Sequence, residues 1–160
     1  MADCLAQGSA GGYPNIKFIY AMAGDLFNQA PNTPKTIRAL DNVEFIVGQD
    51  HFLTPTVRYA DIVLPATTFW ERNDVHTPWA GAGHYAIFMK QAIEPMYKCR
   101  NDIEILAELA ERVGIEGYND KPELEWLKEF TTNRVDDFEA FMEAGVARFP
   151  EPEDAVAFAK

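Results

Sequence analysis

The stretch 43–72, VEFIVGQDHFLTPTVRYADIVLPATTFWER, leaves this chain few ways to fold. Its first five residues, 43–47, are nearly all apolar, β-branched or aromatic, and the run stops at Gly48, Gln49 and Asp50. A compact helical signal follows. Thr54 suits an N-cap, Pro55 stands where its missing N–H costs nothing, and about one and a half turns lead to Tyr59. A second apolar run, Ile62, Val63 and Leu64, is broken by Pro65 and two threonines. Strand, short crossover, strand is the pattern of a sheet with covered faces. The polar residues gather just past the strand ends, the edge at which open α/β sheets bind ligands.

Upstream, 16–22 (IKFIYAM) reads as the first strand, ending in Ala23, Gly24 and Asp25. The connection 26–32 is longer than the roughly two to six residues usual between strand and helix, and overlong loops tend to be functional. Thr33 and Pro34 repeat the N-cap-plus-proline signature, Ile37 and Leu40 give the next helix its apolar stripe, and Asp41-Asn42 closes it. Strand, helix, strand makes a right-handed βαβ unit with parallel strands. Both strands then end in a glycine-containing turn closed by an acid, AGD and GQD, and the loop after 62–64 joins them at one edge.

Downstream, 69–83 mixes aromatics, charges and glycines and reads as a long irregular loop. Weak alternation over 84–93 suits an antiparallel or edge strand. The clearest helix is 101–113, with Asn101 as cap, Glu104 completing a capping box, and Ile103, Leu106, Ala110 and Val113 on one face. Gly114 terminates it. Two amphipathic helices are expected at 122–130 and 135–142, and an irregular tail at 148–160. The fold class read from this order is α/β, a three-layer Rossmann-like domain with a mainly parallel sheet, followed by C-terminal helices. Its divisions are 1–15 as a linker or cut end, 16–114 as the Rossmann-like domain, and 115–160 as a helical extension with an irregular tail.

Several function classes are disfavoured. With 25 acidic against 14 basic residues the net charge is −11, which argues against nucleic acid as a partner, because such binding rests on neutralising phosphates. No apolar run is long enough to span a membrane, and the first residues lack the layout of a signal peptide. Cys4 and Cys99 have no CxxC or Cys/His spacing, so they read as free thiols and not as metal ligands. His51, His76 and His84 are scattered. Neither GxGxxG nor GxxxxGK[ST] is present, so no Rossmann fingerprint or P-loop is claimed.

What remains is a set of polar residues at strand ends. Asp25 and Asp50 are placed to accept hydrogen bonds from ribose hydroxyls or from the N1–H and amino group of a guanine. Gly24 and Gly48 would let the backbone approach such a ligand. Spacing alone is equally compatible with each acid capping the next turn. Arg72 is the best cation for a phosphate; a salt bridge to Glu71 or Asp74 is the other reading.

The stretch VEFIVGQDHFLTPTVRYADIVLPATTFWERND resembles the molybdopterin oxidoreductase superfamily of the dimethyl sulfoxide reductase type. The combination of D-x-F-x-T-x-T, A-D-x-V-L-P and E-R-N-D in that order carries the resemblance, which runs from about Ile16 to Asp102 and more loosely beyond. The ERND form and the tail GVARFPEP are most similar to the anaerobic sulfoxide-reductase branch. In that family two Rossmann-like domains grip a pair of molybdopterin guanine dinucleotides. The resemblance implies that Asp25 falls where a nitrate reductase has a cofactor-contacting Asn, and Gln49-Asp50 on a cofactor-contacting Ser-Asp pair. Arg72 falls on a Lys, and Asp102 on a cofactor-contacting Asp once one residue is gapped between Pro95 and Asn101. It also implies that molybdenum in the parent cycles between Mo(VI) and Mo(IV).

Family members are several times longer, with an iron–sulfur or pterin-binding region, a Ser, Cys or selenocysteine ligand to molybdenum, and a C-terminal cofactor domain. The chain therefore reads as a fragment that cradles the cofactor without its metal ligand, inactive alone. Its expected partners are the remainder of the subunit and an iron–sulfur electron-transfer subunit. A stand-alone nucleotide or pterin module without redox activity, or an inert excised domain, are the alternatives. The compartment, cytoplasm or periplasm of a prokaryote, stays open.

Overall fold

The computed structural model describes residues 1–78 and 84–150, so the glycine-rich end of the expected irregular loop and the end of the tail lie outside the described residues. The chain divides into two compact units, one of Met1–Ala66 with Tyr97–Ile105, the other of Thr67–Met96 with the chain from Leu106.

The first unit holds the parallel sheet. Strands β1 (Phe18–Met22), β2 (Phe45–Asp50) and β3 (Ile62–Pro65) are hydrogen-bonded in that order. Both pairings are parallel, with Tyr20 opposite Val47 and Val47 opposite Ile62. This is the arrangement the βαβ pattern demands. The central strand runs further than its sequence suggests, because Gly48, Gln49 and Asp50 belong to β2 and not to a turn after it. Pairing on both sides, Gly48 to Ala21 and Val63 and Gln49 to Met22 and Leu64, overrides the poor strand propensity of Gly, Gln and Asp.

Alternation along the strands sets the two faces. Ile19 and Ile46 pack with Leu5, Phe27, Ala39 and Leu40 into one apolar core. These come from α1 (Ala2–Gln7), α2 (Leu26–Gln29) and α3 (Thr33–Leu40). Residues 1–15, expected as a linker, thus contain a helix anchored by buried Leu5. The overlong loop contains a single helical turn, α2. Asn32, and not Thr33, caps α3, accepting the Lys35 N–H at 3.1 Å, while the Thr33 hydroxyl donates to the Phe27 carbonyl at 2.8 Å. Helix α4 (Pro55–Arg58) follows the expected Thr54 cap. It lies so near β2 that a Cβ on Gly48 would come within 3.3 Å of Val57 Cα and Ala60 Cβ. Gly48 therefore admits a helix to the sheet, the packing role that the absence of a side chain serves here. On the opposite face Phe18 and Phe45 stack at 6.0 Å and stay partly exposed.

The second unit is built differently. Strands β4 (Asp74–His76), β5 (Tyr85–Met89) and β6 (Val146–Arg148) form an antiparallel sheet in that order. β5 is the antiparallel strand expected over 84–93; β4 lies in the stretch read as a long irregular loop, and β6 meets the expected irregular tail only at Arg148. Ala86, Phe88, Leu127, Phe138 and Phe141 form its core, the last three from α6 (Glu123–Thr131) and α7 (Phe138–Ala144). Asp137 caps α7 through the Ala140 N–H, and Gly145 ends it at φ 72°. Helix α5 (Asp102–Arg112) matches the expected 101–113 helix, with Asn101 accepting the Ile103 N–H at 3.1 Å. Among the described residues no helix is long and apolar enough to cross a membrane.

Candidate functional site

The carboxyl edge of the parallel sheet is where the acids come together. Strand β1 ends at Met22, and Ala23, in the left-handed region at φ 50°, turns the chain toward Asp25. Asp25 occupies the N-cap position of α2 but makes no side-chain cap bond. Its Oδ1 instead accepts a 2.6 Å hydrogen bond from the Thr56 hydroxyl. That hydroxyl, itself buried, accepts the Phe27 N–H at 3.1 Å. A single buried Thr on α4 thereby fixes the carboxylate at the end of β1.

Asp50 is the last residue of β2, and its carbonyl accepts the Ala66 N–H at 3.2 Å, extending the ladder beyond β3. Its carboxylate has one long hydrogen bond, 3.3 Å from the Phe52 N–H. Such a bond is close to the outer limit of useful geometry, so the turn holds this carboxylate loosely. Phe52 and Leu53, next in the chain, are exposed.

Gln49 is 0% exposed. Both ends of its amide are used inside the protein: Oε1 accepts from the Tyr20 hydroxyl, and Nε2 donates to Asp102 Oδ1 at 2.6 Å. Asp102 opens α5, and the segment before it runs beside the end of β3, with the Arg100 N–H on the Pro65 carbonyl at 3.1 Å. Burial raises the Tyr20 phenol pKa above its ordinary value of 10.0, and the Asp102 carboxylate adds to the shift. A buried amide bonded at both ends avoids the penalty of an unsatisfied polar group.

Arg72 belongs to the second unit. Its guanidinium reaches Asp74 Oδ2 through Nε at 3.3 Å and Nη2 at 3.2 Å, and Nη1 donates to the Thr67 carbonyl. Beside it in sequence, Glu71 is buried: Oε2 accepts from the Thr68 N–H and hydroxyl at 2.8 and 2.9 Å, and Oε1 from the Met96 N–H at 2.6 Å. Glu71 thus ties two segments of loop together.

The structure gathers Asp25, Asp50, Gln49 and Asp102 at one sheet edge and assigns Arg72 to the other unit. Sequence reasoning missed Tyr20, Thr56 and Glu71. Thr54 carries a local cap signature that Thr56 lacks, although Thr56 closes the D-x-F-x-T-x-T stretch, and a lone Tyr in an apolar strand is the available signal for Tyr20. Carboxylates at such an edge accept N–H and O–H donors, the chemistry of a sugar, guanine or pterin edge. Among the described residues no group of three His, Cys, Asp or Glu could hold a metal ion.

Residues 7–112 match the family model described as molybdopterin oxidoreductase. The chain is 33% identical over 156 residues to the dimethyl sulfoxide/trimethylamine N-oxide reductase of Rhodobacter capsulatus, covering 90% of this chain and 19% of that protein. It is 40% identical over 124 residues to the trimethylamine-N-oxide reductase of Haemophilus influenzae, covering 74% of this chain and 14% of that one. In structure it is similar to the acetylene hydratase of Pelobacter acetylenicus, with a TM-score of 0.74 and 26% identity over 95% of this chain and 20% of the other. The chain spans about a fifth or less of the length of these proteins.

Proposed function

We propose, from the premise that this chain belongs to the molybdopterin oxidoreductase family, that it is the segment of a larger catalytic subunit that holds the nucleotide end of molybdopterin guanine dinucleotide. The observation that carries the reading is the set of three carboxylates at the carboxyl edge of the parallel sheet. Asp25 is pinned by Thr56, Asp102 is held by Gln49, and Asp50 is held loosely enough to turn to a ligand. The donor set fits: guanine offers an N1–H and an amino group, ribose offers hydroxyls, and ionised carboxylates accept both in charge-assisted bonds. Within its own unit, Arg72 carries a planar fork oriented by Asp74, the kind of group that suits a phosphate.

When bound, the molybdenum–pterin group supplies two-electron oxygen-atom chemistry. This segment binds and orients the group. The relatives named for sulfoxide and amine N-oxide reduction favour such oxides as substrates of the parent subunit. Its partners in this reading are the remainder of that subunit and an iron–sulfur electron donor.

The test is to release the bound cofactor from the full-length subunit and quantify pterin and guanosine monophosphate. One guanosine monophosphate per pterin is expected, and Asp25→Asn should lower both together. A pterin free of nucleotide would refute the dinucleotide assignment.

A further inference from the structure

Gln49 sits at a position that the family resemblance gives to a direct cofactor contact, yet the structure turns its amide inward. It is 0% exposed, and its amide oxygen and nitrogen are both engaged within the protein. The direction of the chain is set by chemistry. An ionised carboxylate has no hydrogen to donate, so the amide nitrogen must face Asp102 and the amide oxygen must face Tyr20. The phenol, as the remaining donor, closes the sequence Tyr20 O–H to Gln49 Oε1, Gln49 Nε2–H to Asp102 Oδ1. Were Gln49 to turn toward a ligand, it would break one or both of these bonds and leave a buried polar atom unmatched.

We infer that Gln49 is a positioning residue: clamped by Tyr20, it fixes the carboxylate of Asp102 at the start of α5 and does not itself touch the cofactor. Three elements distant in sequence meet here, β1 through Tyr20, β2 through Gln49 and α5 through Asp102. A Gln between Gly48 and Asp50 in a paired central strand meets no need of the sheet, since an apolar side chain would fill the same slot without polar atoms to satisfy. Its amide does meet a need of Asp102, because a 2.6 Å bond to a carboxylate restricts where that carboxylate points. The inference rests on the reading that Asp102 contacts the cofactor, and the test separates the two.

Cofactor retention and melting temperature would be measured on the full-length subunit carrying Gln49→Met, Tyr20→Phe, Asp102→Asn and the Gln49→Met/Asp102→Asn pair. Pterin per subunit after prolonged gel filtration is the readout. Asp102→Asn should lower retention about tenfold, Gln49→Met about fivefold and Tyr20→Phe about twofold, with the pair no worse than Asp102→Asn alone, the non-additivity of residues acting through one group. If Gln49→Met cost its full factor again in the Asp102→Asn background, Gln49 would act on the ligand independently and the inference would be overturned. If Asp102→Asn left retention unchanged while Gln49→Met reduced it, the cofactor role of Asp102 would fall, and the inference with it. Should Gln49→Met fail to fold, Tyr20→Phe carries the same cycle.

Gln49→Glu adds a readout that space-filling would not move. A protonated Glu can still donate to Asp102, whereas an ionised one repels it. Retention in this variant should be near normal in mild acid and fall as pH rises. A pH-independent loss contradicts the positioning role.

Discussion

The two units of this chain bury polar side chains for different purposes. In the second, Glu71 and Thr131 are buried and bonded close by: Glu71 by the N–H and hydroxyl of Thr68 and the Met96 N–H, Thr131 by the Leu127 carbonyl one turn back. The core beside them is aromatic, with Phe88 edge-on to Phe138 at 6.0 Å and to Phe141 at 5.9 Å. In the first unit, buried Gln49 and Thr56 each reach an acid at the sheet edge, Asp102 and Asp25, while buried Thr36 bonds the Asn32 carbonyl one turn back. One arrangement stabilises loops and a core. The other fixes carboxylates at the sheet edge, the placement that the proposed ligand site requires. Changes to the second unit should therefore act on stability, and changes to the edge of the first should act on the ligand.

The largest effect belongs to the aromatic core. Phe88→Ala removes the ring around which Phe138 and Phe141 are arranged and should cost about 3–5 kcal/mol. Chemical denaturation would show it, and any loss of cofactor should follow unfolding and not precede it. A Phe88→Ala protein that melts normally but has lost its cofactor would break the contrast.

Gly48→Ala comes next, and it lies in the first unit but acts by packing. The added methyl would meet Val57 Cα and Ala60 Cβ at 3.3 Å, so α4 must shift, at a cost of about 1–3 kcal/mol. Because α4 carries Thr56, the shift should also disturb Asp25. Melting and pterin content are expected to fall together here; a fall in one alone would show that α4 does not couple packing to the edge.

The smallest effect is electrostatic. The folded state raises the Tyr20 pKa, so the folded protein holds that proton more tightly than the unfolded chain does. The contribution is complete below pH 10.0, the ordinary phenol value, and is lost as pH rises through the folded value. Tyr20→Phe should remove this part of the alkaline loss of stability, visible as a shallower fall of melting temperature above pH 10.0. An unchanged alkaline slope would show that burial and the Asp102 charge do not hold the phenol in its protonated form.

The contrast between the units also explains what could be read from sequence. The parallel strands and α5 were legible because each carries its own local pattern: apolar β-branched runs, and a capped amphipathic helix. The end of β2 was not, because Gly48, Gln49 and Asp50 have turn propensities that only pairing on both sides outweighs. Helix α1 owes its place to Leu5 packing against residues of α3, and three-residue strands such as β4 and β6 are too short to show alternation. Asp25, Asp50 and Asp102 could be singled out because acids at strand and helix ends have local meaning. The link from Tyr20 to Gln49 and on to Asp102 spans 29 and then 53 residues, and no window of sequence contains it.

The shared fold does not by itself choose a reaction. The relatives of similar sequence are named reductases, and the similar structure is named a hydratase. The proposed ligand-holding edge is tested most directly at Asp50. Among the described residues its carboxylate accepts only the long hydrogen bond from the Phe52 N–H, so the turn has little to lose. Asp50→Ala in the full-length subunit should lower cofactor retention about tenfold, the effect of losing one charge-assisted bond of roughly 1.5–3 kcal/mol, with little change in melting temperature. A variant that melts at a lower temperature by the roughly 0.5–2 kcal/mol of a lost cap, yet keeps full pterin occupancy, would contradict it.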